Sequence, residues 1–326
     1  MERGDLGGEP TVIVRHGGTR LEVALAGATV LRWSTSTPDG GTVELAAGYA
    51  SAAELERNLS GAFAIMAPFA NRLRGGRYTF DGSEYDLRPE MHPQDTEVIH
   101  GLVRRARWRL DGVDTSGELA ALTLSTTIRP EQHAGYPFAL DLEVVFRFGG
   151  QRLGAELRAR NVGPTDAPVV LGWHPYLTLP GHETVNGLRL TVPARTRVAV
   201  DEQLIPLAGE EAYREVDDDG ASWDPLDDTR LDTAFLLAQT DGVASTWLRS
   251  PMTGRSIEVR QRADQAPVMH VFTADTLPGK ERQSIALEPV SAVADAFNRE
   301  EWDDRVRLAP AAVRELSTEI IHHPNS

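Results

Sequence analysis

Leu140-Asp141-Leu142-Glu143-Val144-Val145-Phe146-Arg147-Phe148-Gly149-Gly150-Gln151-Arg152-Leu153-Gly154-Ala155-Glu156-Leu157-Arg158-Ala159-Arg160 carries the plainest structural signal in the chain. Leu140, Leu142, Val144, Phe146 and Phe148 fall on alternate positions with Asp141, Glu143 and Arg147 between them, the period of a half-buried strand. Gly149-Gly150 supplies a two-residue turn. The chain then returns with Leu153, Ala155, Leu157 and Ala159 on one face and charged residues on the other, so the stretch predicts a long antiparallel hairpin.

The same period recurs on both sides of it. Further strands are expected at 11–16, 20–25, 28–33, 77–80, 107–112, 121–128, 187–192, 255–260, 268–273 and 283–288. Helical spacing is scarce: a short helix over 52–58 capped by Ser51, and a turn over 292–297 after Ser291. Many strands, few short helices and no Pro/Gly/Ser linker predict an all-β chain, one large antiparallel β-sandwich over residues 1–326.

Composition narrows the chemistry. Cysteine is absent, which removes disulfides, thiolate nucleophiles and thiolate metal sites. Lys280 is the only lysine and sits in Gly279-Lys280-Glu281, the context of an exposed loop, so imine chemistry is not expected. A net charge of −15 argues against a nucleic-acid partner. No apolar run is long enough to span a bilayer and residues 1–10 lack a secretory profile, so a cytoplasmic protein without a membrane partner is expected. Acid gathers at Glu210-Glu211, Asp217-Asp218-Asp219 and Asp227-Asp228, and stretch 208–230 reads as a loop. Arginines gather at Arg72, Arg74, Arg77 and at Arg104, Arg105, Arg107, as a solvated face or an anionic-ligand pocket.

No Gly-x-Ser-x-Gly, Walker, Gly-x-Gly-x-x-Gly or His-Glu-x-x-His motif occurs. Histidines, carboxylates and hydroxyls remain. His16, His92, His133 and His182 lie beside turn residues and His322 and His323 in a polar tail, all read as surface groups. His100, in Val98-Ile99-His100-Gly101, and His174, in Leu171-Gly172-Trp173-His174-Pro175-Tyr176, each close an apolar stretch, and Pro175 holds His174 extended. In Ser284-Ile285-Ala286-Leu287-Glu288-Pro289, Ala286 and Glu288 share one face, and Pro289 is expected to end the ladder beside the carboxylate. Each of these three residues has an ordinary structural alternative, a satisfied core histidine or a rim salt bridge.

In order along the chain stand Ala67-Pro68-Phe69-Ala70-Asn71-Arg72-Leu73, Gly76-Arg77-Tyr78-Thr79-Phe80-Asp81-Gly82, Ile99-His100-Gly101-Leu102, His174-Pro175-Tyr176, Leu231-Asp232-Thr233-Ala234-Phe235 and Leu287-Glu288-Pro289. This succession resembles the aldose 1-epimerases, also called galactose mutarotases, over nearly the whole chain. The resemblance implies a galactose mutarotase-like supersandwich with a sugar cleft, no metal and no organic cofactor. It also implies a small-molecule sugar as substrate, a monomer or homodimer, and exchange of the α and β anomers of a free aldohexose. Glu288 then matches the general base and His174 the general acid, while Arg72, His100, Asp232 and, more weakly, Asn71 match the residues that hold the sugar. Opening a hemiacetal needs one proton removed and one delivered, and glutamate and histidine, with reference pKa values of about 4.3 and 6.5, suit those tasks.

The lead-in Gly172-Trp173 departs from the Asn/Thr-rich lead-in of the best-known galactose mutarotases and resembles a bacterial branch of less defined substrates. Trp173 is read as a core residue. The competing functions are a hexose-6-phosphate mutarotase with an arginine-built phosphate site, a non-catalytic carbohydrate-binding sandwich, and a pathway-specific relative acting on another hemiacetal.

Overall fold

The alternation at 140–160 does make a hairpin. Strands Leu140–Gly149 and Arg152–Asn161 pair antiparallel from Leu140 opposite Asn161 to Gly149 opposite Arg152. The turn is therefore Gly150-Gln151, one residue later than expected, and Gly150 takes the positive φ of 56° that a tight turn needs. Leu142, Val144, Phe146 and Phe148 are buried. The opposite face carries charge pairs such as Arg147 with Glu156 at 2.6 Å and Arg158 with Glu315 at 2.9 Å.

The computed structural model describes residues 1–37, 40–216, 220–239 and 241–324. The hairpin lies in a nine-stranded sheet in which Val313–His323 joins Arg152–Asn161 to Ser256–Arg262. An eight-stranded sheet contains, side by side, Asp232–Leu237, Val268–Phe272, Ile285–Val290 and Gly172–Trp173. Phe146 of the first sheet meets Trp173 of the second at 6.1 Å between ring centroids, and Trp173 is fully buried against Phe63 as well, so it is a core residue as read. A five-stranded N-terminal sheet from Glu2–Leu6 to Thr42–Glu44 adds its apolar face to the same core. Almost all pairing is antiparallel, as expected of an all-β chain.

The short helix is Ala52–Arg57: the Ser51 side chain accepts from Glu54 N, and Asn58 closes it in the left-handed region at φ 46°. The expected turn over 292–297 is a single 3-10 turn, Ala296–Asn298. Among the described residues no helix is long and apolar enough to cross a membrane.

Three expectations need correction. His322 belongs to the eleven-residue strand Val313–His323, not to a tail, and is 1% exposed with its ring on the Gln151 side chain. The strand escapes notice because Thr318 and His322 occupy inward positions that an apolar pattern would fill. Pro289 does not end its ladder: the strand runs to Val290, which pairs with Gly172 and Val268. Only alternate residues of an antiparallel strand donate to a given neighbour, so one missing N–H is tolerated. Stretch 208–230 is not a plain loop, since strands Tyr213–Glu215 and Ala221–Trp223 edge the two large sheets. Asp217, Asp218 and Asp219 lie outside the described residues.

Candidate active site

Three neighbouring strands set a row of polar side chains on one face of the eight-stranded sheet. Cross-strand partners in an antiparallel pair point the same way. His270 pairs with Glu288, and Asp232 pairs with Phe272, so Asp232, His270 and Glu288 all project from that face. His174 enters just past Gly172–Trp173, held by its own N–H on Ala64 O at 3.1 Å and by its carbonyl, which accepts from Phe63 N at 2.8 Å. Its ring lies parallel to Tyr176 with centroids 5.0 Å apart, and Tyr176 donates its hydroxyl to Ser60 O at 2.9 Å.

The opposite wall is loop, fixed by strained backbone. Asn71 and His100 both sit at positive φ, 54° and 60°, and His100 N donates to Asn71 O at 3.0 Å. Asn71 Oδ1 accepts from Arg72 N at 2.8 Å and from Arg72 Nη1 at 3.2 Å, and Arg72 Nε donates to Glu97 at 2.9 Å. His100 meets His174 edge-on at 5.0 Å and has the Met66 sulfur 3.0 Å from its Nδ1. Gly61 packs beneath both rings: a Cβ there would lie 3.4 Å from each Cδ2.

Together these groups line one cavity of about 350 Å³. All six residues singled out from the sequence, Glu288, His174, Arg72, His100, Asp232 and Asn71, line it. The structure adds His270, Tyr176 and Glu97. His270 was legible in Val268-Met269-His270-Val271-Phe272, where a polar residue interrupts an apolar strand on the face opposite Met269 and Val271.

His174 Nε2 and Glu288 Oε1 stand 3.3 Å apart, and the two residues are 4% and 2% exposed. That spacing would suit an ion pair, yet burial acts against charge on both. Burial pushes the Glu288 carboxyl up to about 8, and it pushes His174 down to about 3 with His270 adding to the effect. Burial thus favours the uncharged form of the pair, a carboxylic acid beside a neutral imidazole, over a carboxylate and an imidazolium. His174 Nδ1 and Glu288 Oε2 are buried without a hydrogen-bond partner. Burial also drives His100 well below the ordinary range. Asp232 goes the other way: burial raises it, but the 2.8 Å bond from His270 and that ring's charge outweigh this and hold the carboxyl low.

The arginines near the cleft are committed. Arg72 is on Glu97, Arg104 on Asp95 at 2.6 Å and Asn58 O at 3.0 Å, and Arg105 on Asp95 at 2.8 Å and on backbone carbonyls. Arg74 pairs with Asp201 at 3.1 Å and Arg77 with Asp86 at 3.4 Å. Among the described residues no three His, Asp or Glu side chains converge to hold a metal ion.

An antiparallel β-sandwich with an imidazole–carboxyl pair on the floor of a polar cleft is the galactose mutarotase-like fold: a GalM/aldose epimerase homologue from C. elegans superposes with a TM-score of 0.80 at 20% identity over 100% of both chains. The family model "Aldose 1-epimerase" matches residues 10–320, and the chain belongs to that family. It is 29% identical to the uncharacterized protein YihR of Escherichia coli over 235 residues, 72% of this chain and 71% of YihR. It is also 29% identical to human galactose mutarotase over 195 residues, 57% of this chain and 53% of that protein.

Proposed function

We propose that the protein is an aldose 1-epimerase, a mutarotase that interconverts the α and β anomers of a free aldohexose by ring opening and reclosure. The observation that carries this reading is the buried His174–Glu288 pair, Nε2 and Oε1 3.3 Å apart, in a cleft whose remaining polar side chains suit sugar hydroxyls. In a hemiacetal the hydroxyl and the ring oxygen share one carbon, so an acid and a base must stand side by side.

Passing the shared proton to His174 leaves Glu288 as carboxylate. Glu288 then removes the proton of the anomeric hydroxyl, whose oxygen forms the carbonyl as the bond from C1 to the ring oxygen breaks. The electron pair of that bond goes to the ring oxygen, which takes the proton from His174. The aldehyde turns about the C1–C2 bond. Closure on its other face, with Glu288 now acid and His174 base, gives the opposite anomer and restores the pair. Arg72 and Asn71 offer donors to the sugar's oxygens, Asp232 accepts from its hydroxyls, and His100 borders the acid.

A neutral sugar fits this cleft better than a sugar phosphate. A phosphate needs a free guanidinium fork or ammonium. Here Arg104 and Arg105 are engaged with Asp95 and carbonyls, Arg72 gives Nε to Glu97 and Nη1 to Asn71 and so keeps a donor for a hydroxyl but no two-nitrogen fork for a phosphate, and Asp95, Glu97, Asp232 and Glu288 line the same cavity.

The test is the approach of fresh α-glucose, α-galactose and glucose 6-phosphate to anomeric equilibrium, followed by polarimetry. Wild type accelerates a free sugar, and Glu288→Gln and His174→Asn each lose about 10²- to 10⁴-fold. A folded wild type that accelerates none of them overturns the proposal, and a preference for glucose 6-phosphate overturns the choice of substrate.

A further inference from the structure

His270 is absent from the acid–base scheme above, yet it occupies the centre of the cleft floor. Strand register makes it the Cα partner of Glu288, and its Nε2 stands 2.8 Å from Asp232 Oδ1 on the far side, so three adjacent strands present the row Asp232, His270, Glu288. His270 is 9% exposed, and its ring cannot leave the row without breaking the bond to Asp232. The other charged or titratable groups that face it are Arg72, His174 and His100.

Those neighbours leave one gap to fill. A carboxylate as buried as Glu288 forms only near a compensating cation. Arg72 also lowers Glu288, but less than His270 does, and His174 must give up its charge when it acts as acid. His100 has a thioether beside it, which offers an imidazolium no counter-charge. His270 alone of the three cleft histidines touches a second carboxylate, Asp232, that stays ionised through the cycle.

We propose that His270 is a positioning residue of the reaction: an imidazolium clamped by Asp232 and set opposite Glu288, whose charge fixes the pH at which Glu288 becomes a carboxylate. This rests on the reading of Glu288 as the base. The electrostatics agree with the geometry. Burial alone would lower the His270 pKa, but Glu288 and Asp232 together hold it above the ordinary histidine value, and His270 in turn is the strongest influence lowering Glu288 against its burial. His270 thereby limits how far burial raises Glu288 and so sets the pH at which the pair loses the proton it passes to the sugar.

The experiment is the pH profile of kcat/KM for anomerisation with wild type, His270→Gln and Glu288→Gln, beside an NMR titration of the histidine Cε1 carbons in which the signal missing from His270→Gln assigns His270. Gln keeps a donor for Asp232 but no charge, so the alkaline limb of the profile, where the His174–Glu288 pair loses the proton it uses, moves up by about 1 to 3 pH units. A purely structural role would lower melting temperature or plateau rate and leave the limb in place. An unmoved limb, with Glu288→Gln inactive, overturns the inference while the acid–base reading stands. If wild type accelerates no sugar, that reading fails, and the NMR titration decides the rest: His270 titrating at or below the ordinary value of about 6.5 overturns its charge, and titration above it upholds the charge. If His270→Gln does not fold, the Glu288→Gln titration serves, in which loss of the facing carboxylate lowers the His270 midpoint.

Discussion

Replacing Glu288 with glutamine should abolish anomerisation and, at neutral pH, make the protein more stable. An unfolded glutamate ionises near 4.5, whereas burial holds Glu288 up to about 8 in the folded chain. Between those values the folded state binds the extra proton, so stability falls as pH rises through the window and levels off above it. Two and a half pH units separate 4.5 from pH 7, each worth about 1.4 kcal/mol, which sets a ceiling of about 3.5 kcal/mol. His174, 3.3 Å away, accepts part of the displaced proton and the His270 charge faces the carboxylate, so we expect about 1–2 kcal/mol. For a chain of this size that is about 2–4 °C in melting temperature. The assay is calorimetry of wild type and Glu288→Gln from pH 5 to pH 8.5, read as the change of their difference with pH. A constant offset from the amide's hydrogen bonding then cancels. Near pH 5, where Glu288 is protonated in the folded chain, the gap is smallest, and it widens steadily toward pH 8. A gap that stays flat, or narrows as pH rises, would refute the idea that burial holds this carboxyl protonated.

Removing Arg72 as Arg72→Ala costs about 1–3 kcal/mol of sugar binding, seen as a rise in KM of roughly ten- to a hundredfold with a smaller change in kcat; an unchanged KM places Arg72 outside the sugar's reach. Gly101→Ala puts a methyl 2.1 Å from Ala67 O at a φ of 78°, so the 67–71 and 99–102 segments cannot keep their contact. We expect a loss of more than about 2 kcal/mol in a denaturant titration, with sugar affinity falling because His100 is the preceding residue; a loss under about 0.5 kcal/mol would show that these segments move apart freely.

How much of this was legible beforehand follows from what each residue does locally. The hairpin at 140–160 reads directly because every second side chain is apolar and the turn needs glycine. Val313–His323 does not, because Thr318 and His322 replace apolar residues on its inward face. Val243–Arg249 escapes for a related reason: Ala244 and Thr246 are its inward residues beside Leu248, too small or too polar to mark a strand. What no local pattern carries is the order of strands in a sheet. Asp232, His270 and Glu288 are far apart in the chain and share no motif, and only the pairing of Asp232–Leu237 with Val268–Phe272 and of Val268–Phe272 with Ile285–Val290 sets them in a row.

That distinction explains why the site was found unevenly. His100, His174 and Glu288 stood out as polar residues closing apolar stretches, whereas Arg72, Asp232 and Asn71 were reached only through a resemblance whose motifs already encode spatial company. His270 belongs to no such motif and was passed over, although a lone polar residue in the apolar stretch Val268–Phe272 marks it. The structure gives it a carboxylate on each side, and a buried imidazole between two carboxyl groups cannot be electrically silent. The protonation state is the part furthest from sequence. Reference values put one charge on Glu288 and invite one on His174, but burial of two groups 3.3 Å apart raises Glu288 and lowers His174 and so disfavours the charged pair. For a reaction in which the same two residues must exchange the roles of acid and base within each turnover, a pair that changes state by moving one proton between its members has no intermediate that requires a proton from solvent.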